Sequence, residues 1–536
     1  MSIPRSVTEV LRDRITLEVE GIDRLYLNIY IPRLQSESGV ASFFRFHRGH
    51  AFASSALMDP ISKTFIGAIE DFAEQHQIPV VSFKKGQRKD DVAAEYRAGF
   101  GCEEGVLFIG KAQEKVPVFR TEKRRNPQTG GTYPWIVRST GLVNQYYFYC
   151  IDRDFGPFFL KFCSYFPYNG KLCINGHEYA KRQLSIEGIA FEALDNGILR
   201  CADPARLQAI CDGLSAEKID GLARKWFRIL PHPFTPADRQ AGYLYDLSIL
   251  QAEFSLTQVL DQPVTGRIFF EEVIRENLDL GRPEKVQLIF DRKITRKTPG
   301  RFQTRVITPG VIPSLHVTYK NSRIKQYYKE GRALRTETTI NDTRDFKVGK
   351  RLHNLMALRK IGFQANRRLL DVQKISHDCT LDQAAFEQVV RPLEVKGQRV
   401  AALRFDDRRV QALFGVLVLF VLQVNGFANR DLREPLAQLL GIDPGKITPG
   451  QMTYDLRRLR LHGLIERIPK SHRYQLTPFG LRTALFFSRS YTRLLRPGFA
   501  CLTSKTPSEG GPPLRHAFNR LEQEIAKYCE REKLAA

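Results

Sequence analysis

The 536-residue chain has no apolar stretch long enough to cross a bilayer. Its longest apolar run, 413–424, is broken by Gln423 and falls well short of the roughly 20 residues a spanning helix needs. The opening MSIPRSVTEVLRDR carries charge where a secretory signal would be apolar. Nine cysteines stand far apart, at 102, 150, 163, 173, 201, 211, 379, 501 and 529, with no C-x-x-C among them. That pattern excludes a disulfide framework and predicts reduced thiols in a cytoplasmic protein without a membrane partner. No P-loop, no G-x-G-x-x-G following a strand and no G-x-S-x-G occurs, which disfavours nucleotide hydrolysis, dinucleotide chemistry and serine hydrolysis. Metal-like groupings are limited to His47-x-x-His50 and to Cys163, Cys173 and His177, each lacking a matching second half. No internal repeat is evident.

Negative charge is also scarce. Against 82 Lys and Arg there are only 58 Asp and Glu, a formal charge of +24. Cations that displace condensed counterions from a polyanion gain the entropy of their release, so DNA is the expected partner, with RNA a second candidate. Hydrophobic residues at 43% and charged residues at 26% predict a folded chain of several domains.

Periodicity predicts a multidomain α/β protein: N-terminal mixed α/β domains, a basic β-rich middle block and a C-terminal helical module. In order, 1–145 is an α/β domain, with strands at 24–34 and 40–47 and a helix at 62–77. Residues 146–283 form an α+β region, a hairpin through 146–166 followed by helices. The block 284–368 reads as basic strands, 369–407 as a helical connector, 408–500 as the C-terminal module, and 501–536 as a linker with a last helix. The polar 120–134, with its Gly and Pro, reads as a loop.

In the C-terminal module, helices at 408–422, 429–441 and 451–464 precede a hairpin with the basic tip KSHR, and a final helix starts at Pro478. Asn429 is the expected N-cap of the second, and Pro435 within it should sit in a first turn or make a kink. That order, and above all LRRLRLHGLIERIPKSHRYQLTPFGLR at 456–482, resembles prokaryotic winged-helix regulators. The resemblance implies that the third helix enters a major groove and the hairpin touches neighbouring backbone. Tyr454, Arg457, Arg458 and Arg460 would then contact bases or phosphates, joined by Lys470, His472 and Arg473 from the wing.

The 284–368 block interleaves cations with Phe302, Tyr319, Tyr327 and Tyr328, a composition suited to tracking a backbone and stacking bases. Lys325, Arg332 and Arg335 are its candidate contacts. QYYKEGRALRTETTIN at 326–341 is similar to a strand pair of some rolling-circle replication initiators, through Tyr328, Gly331, Leu334, Arg335 and Glu337. The His-hydrophobic-His metal site of that family is missing, so what the similarity implies is a replication or mobile-element origin rather than nicking.

One further constellation suggests chemistry. Asp152 and Asp154 leave an apolar strand two residues apart, the arrangement with which a Mg²⁺-dependent nuclease holds its metal, and Glu178 is a candidate third acid. The same D-R-D-F-G also makes a good hairpin turn, in which an Asp caps backbone amides. A second acid and lysine cluster comprises Asp90, Asp91, Glu95, Glu114 and Lys115, with a phosphate-contacting loop the preferred reading. The sequence thus predicts a DNA-binding protein of replication, recombination, mobile-element maintenance or defence. The alternatives are a Mg²⁺-dependent nuclease and a scaffold whose winged helix binds protein.

Overall fold

The computed structural model describes residues 5–490 except 85, 262, 296, 301, 308–312, 376–380, 382, 396, 419–425 and 470, together with 517, 520, 521, 523, 524 and 527. The expected linker and helix of 501–536 therefore fall almost wholly outside the described residues, as does Lys470. The chain is mixed α/β and forms two compact units, Ser6–Lys374 and a second built from 375–536 with the first five residues.

The larger unit is organised by one eleven-stranded sheet. Its strands are β1 (Ile15–Tyr30), β2 (Val80–Ser82), β3 (Gly105–Arg125), β4 (Thr132–Asp152), β5 (Gly156–Cys163), β6 (Gly170–Asn175), β7 (Asp246–Leu260), β8 (Gln303–Ile307), β9 (Ser314–Tyr319), β10 (Ser322–Lys329) and β11 (Ala333–Ile340). They lie in the order β8-β9-β10-β11-β7-β1-β6-β5-β4-β3-β2. Neighbours are antiparallel except β2 and β3, which run parallel. The three ranges 1–145, 146–283 and 284–368, expected as separate domains, all give strands to this sheet. Strand pairing across long sequence separations, β1 with β7 above all, overrides the composition shifts that suggested boundaries.

Local chemistry explains where elements differ from expectation. Of the polar 120–134 read as a loop, only 126–131 is one: β3 and β4 run through the rest as a long hairpin closed by Asn126, whose NH bonds the Gly131 carbonyl at 2.7 Å. The run 40–47 is helical rather than a strand. Adjacent Phe43 and Phe44 are both buried, and a strand would point them to opposite faces. Residues 283–290 also form a helix. Pro283 sits in its first turn, and Val286, Ile289 and Phe290 share its buried side.

Helices pack on both sides of the sheet. In order along the chain they include α1 (Ser55–Gln75), α2 (Lys89–Ala98), α3 (Gly176–Ile186), α4 (Ala216–Ile229) and α5 (Leu355–Val372). The α5 backbone comes so near β7 that a Cβ on Gly362 would meet the Phe254 ring at 2.3 Å. On β10 the alternation is clean: Ser322, Ile324, Gln326 and Tyr328 are buried, while Arg323, Lys325 and Tyr327 face outward. Along this strand the side away from α5 is therefore polar and partly open, while elsewhere on that side α2 sets Val92 against Phe108 and Tyr149.

The core of the second unit is Leu413, Phe414, Leu432, Leu436, Leu456, Leu459 and Phe487, packed by helices that include α6 (Arg408–Leu417), α7 (Asn429–Leu440), α8 (Pro449–Leu461) and α9 (Pro478–Arg489). Between α8 and α9 lies the hairpin of β12 (Ile465–Arg467) and β13 (Tyr474–Leu476), and Phe427 bridges its outer edge by pairing with Tyr474. Thr448 caps α8 and Gln451 closes the box, so that helix starts two residues earlier than expected. Asn429 is not the cap of α7. It sits one residue inside, and its amide donates to the Pro449 carbonyl and Thr453, tying α7 to α8. Pro435 lies within α7 rather than in its first turn.

Candidate nucleic-acid interface

Helix α8 presents two chemically different sides. Met452, Leu456 and Leu459 enter the core. Asp455, its single acid, is buried beneath two guanidiniums: Arg409 bonds it at 2.8 Å and Arg458 approaches at 3.7 Å. Arg458 is itself only 8% exposed and donates to the Ala402 carbonyl. It is a structural arginine, and its place among the expected contacts is corrected accordingly. What remains on the solvent side is Gln451, Thr453, Tyr454, Arg457 and Arg460, with no carboxylate among them. Arg457 is partly exposed and bonds Gln398 at 3.1 Å, and Tyr454 is 49% exposed.

The hairpin extends this side with Arg467 and His472, both exposed and bonded to each other at 3.1 Å. Arg473 is bent inward: it donates to the Gly426 carbonyl at 2.9 Å and lies 3.6 Å from Asp431. Of the predicted wing contacts among the described residues, His472 is the exposed one, and Arg467 is an exposed cation beyond those expected from the sequence. Its signal is in the sequence, since only Ile468 and Pro469 separate Arg467 from the basic tip.

In the sheet, the candidates separate just as clearly. Lys325 is half-exposed and lies over the Tyr327 ring at 4.0 Å, with exposed Arg323 two residues away on the same side. Arg332 is exposed in the β10–β11 turn. Arg335 is wholly buried. Its guanidinium bonds Asp23 at 2.8 Å, Glu337 at 2.6 Å and His177 at 2.8 Å, as well as the Asn196 carbonyl. It therefore belongs to the interior and cannot meet a phosphate chain. Tyr319 and Tyr328 are also inward, Tyr319 stacking on Phe290 at 5.1 Å, so Tyr327 is the aromatic of this group that reaches the polar side.

The acid pair takes the turn-capping form. Asp152 Oδ1 accepts the backbone NH groups of Asp154 (2.9 Å) and Phe155 (3.2 Å). Its Oδ2 accepts Lys225 at 2.8 Å and the Trp226 indole at 2.9 Å. Burial opposes ionisation, but these donors prevail and hold the carboxyl below its ordinary value. Asp154 faces solvent. Glu178 lies on α3 and pairs with Arg97 and Lys181, both at 2.8 Å. Among the described residues no group of three His, Cys, Asp or Glu is placed to hold a metal ion. His47 instead bonds Asp238 at 2.7 Å, beside Arg48 at 2.6 Å. The Glu114 of the second acid cluster is bound by Lys161 at 2.7 Å, by Lys89 at 3.4 Å and by the Tyr147 hydroxyl.

Comparison with family models, curated proteins and solved structures finds no match for this chain.

Proposed function

We propose that the protein binds duplex DNA through the 375–536 unit, used as a winged helix, with α8 in the major groove and the β12–β13 hairpin on the adjacent backbone. The observation that carries this reading is the sorting of charge on α8. Its only acid is buried and neutralised, while its accessible side keeps Gln451, Tyr454, Arg457 and Arg460 without an opposing carboxylate. Gln and Arg are the side chains that read base edges by paired hydrogen bonds, and Tyr and Thr suit phosphate oxygens. Arg467 and His472 would extend the contact, and the chain's excess of cations supplies long-range attraction.

The outward Arg323, Lys325 and Tyr327 of β10 support an accessory contact with single strands, cations following the backbone while the ring stacks on a base. Roles in replication, recombination, mobile-element maintenance or defence are all consistent with such a binder. The nuclease alternative gains no comparable support, because both carboxylate oxygens of Asp152 are engaged, Oδ1 in capping the turn and Oδ2 with Lys225 and Trp226.

Titration of full-length protein with a labelled duplex at several salt concentrations tests the reading. A steep negative log–log dependence of affinity on salt is expected. A flat dependence or no binding would leave the protein-docking scaffold in its place.

A further inference from the structure

A second cationic site lies on the polar side of the large sheet, far in sequence from the helical unit. One cross-strand row runs Ser248, Asn28, Lys171, Lys161, Tyr147, each residue directly opposite the next on β7, β1, β6, β5 and β4. It places two lysines face to face on adjacent strands, a pairing that like-charge repulsion makes unfavourable. Both are largely withdrawn from water, Lys161 with 12% of its side chain exposed. The local anion is a single carboxylate, Glu114, and Lys161 and Lys89 already share it. Lys171 makes no ion pair among the described residues, and burial together with the Lys161 charge pulls its ammonium below the ordinary lysine range. Three cations thus face one acid.

Lys161, Lys171 and Glu114 line a cleft of about 560 Å³. The size is within the range of small-molecule sites. Gln145 opens on the same cleft. Its amide nitrogen is buried without an oxygen or nitrogen acceptor, with only the Cys163 thiol beside it. A buried donor left unpaired is costly and signals a missing acceptor. Tyr30 and Tyr165 on the walls add ring surface, and Asn28 and Asn169 add amides.

We infer that this cleft binds the phosphate monoester of a nucleotide, with Lys161, Lys171 and the Gln145 amide on the phosphate oxygens and the tyrosine walls beside the nucleoside. A dianionic phosphate relieves the repulsion between the lysines and gives the Gln145 amide its acceptor. The chemistry is common to a free mononucleotide and to the phosphorylated end of a strand.

The test uses the full-length protein, with dTMP and thymidine, and with a 5′-phosphorylated and a 5′-hydroxyl oligo-dT. Binding by calorimetry or anisotropy should favour each phosphorylated probe over its unphosphorylated counterpart by tenfold or more. Lys171→Gln should abolish that preference while leaving duplex affinity unchanged. Gln145→Glu, which sets a carboxylate where an amide donor stood, should do the same and serves if Lys171→Gln folds poorly. Preference seen with dTMP identifies a free nucleotide as the ligand, and preference confined to the oligonucleotide identifies a strand end. Equal binding of phosphorylated and unphosphorylated probes to the unaltered protein overturns the inference and leaves the duplex reading standing.

Discussion

Arg335 and Asp23 form an ion pair of 2.8 Å in the interior of the large sheet, the arginine on β11 and the aspartate at an irregularity of β1. Glu337 takes Nε of the same guanidinium, His177 shares Nη2 with Asp23, and the Asn196 carbonyl accepts from Nη1. Gly197, in a left-handed conformation, leaves room for that carbonyl to approach, since a Cβ there would stand 3.1 Å from the arginine. Burial opposes ionisation of Asp23, yet the Arg335 charge prevails and holds its carboxyl far below the usual range. For Glu337 burial wins over Arg335, and the Asp23 charge adds to it, so this carboxyl is pushed up. Any proton the two acids share therefore resides on Glu337. The network joins β1, β7, β11 and α3, elements distant in sequence, and so fixes their register.

Truncating the arginine should expose the cost of that arrangement. Arg335→Ala leaves Asp23 buried without its counter-charge, a change expected to destabilise the sheet unit by about 3–5 kcal/mol. Denaturant unfolding followed by far-UV circular dichroism measures it. Arg332→Ala, one turn away but exposed, should lie within about 0.5 kcal/mol of the unaltered protein. Equal effects of the two substitutions would contradict the buried network.

Acid should weaken the same unit. Burial, with Arg335 nearby, lowers His177 to about 3. Burial with Arg239 lowers His232 to about 4, and burial with Arg323 lowers His316 to about 4. Each is thus neutral in the folded chain at pH values where its unfolded counterpart, near 6.5, already binds a proton. Their stabilisation is complete above pH 6.5 and is lost progressively as pH falls toward 4, at up to about 1.4 kcal/mol per pH unit per residue. His177→Gln keeps an acceptor for Arg335 but cannot titrate, so it should flatten the dependence of Tm on pH between 6.5 and 4. An unchanged slope would show that His177 is not held neutral.

Asp152 offers a separation of structure from chemistry. Asp152→Ala strands the Trp226 indole and the turn amides, and should cost about 1–3 kcal/mol with a change in Trp226 fluorescence. Asp154→Ala should leave stability unchanged. If DNA cleavage in Mg²⁺ were observed and abolished by Asp154→Ala in a fully folded protein, the nuclease alternative would return.

Much of this architecture could be read from the chain, and the failures have physical causes. The 146–166 hairpin and a helix after it are legible because turn residues and period changes mark them locally, the helix running Gly176–Ile186. Strand β7 is not. Its AEFSLT alternates, but Ser255 and Thr257 are buried as fully as Phe254 and Leu256, so no solvent-facing side marks it as a strand of one open face. Arg335 looks like a surface cation because its buried counter-charge, Asp23, comes from β1 and is brought to it only by the pairing of β1 and β11 with β7. Arg458 misled in the same way, since the carbonyl of Ala402 that covers it lies 56 residues earlier. Tyr454, Arg457 and Arg460 could be picked from helical spacing alone, and their exposure follows it.

That contrast among neighbouring arginines makes the sharpest test of the DNA reading. Arg457 and Arg460 are accessible on α8, while Arg458 braces Asp455 beneath them. Replacing Arg457 and Arg460 together by Ala should leave the unfolding transition in place but weaken duplex binding. If both neutralise phosphates, the log–log salt slope should fall by roughly 0.9 for each. Arg458→Ala should do the reverse. It leaves the Ala402 carbonyl without that donor and Asp455 with only Arg409, so thermal stability drops, while salt slope in the folded protein stays the same. Loss of affinity with Arg458→Ala but not with the accessible pair would mean that α8 does not present its solvent side to DNA.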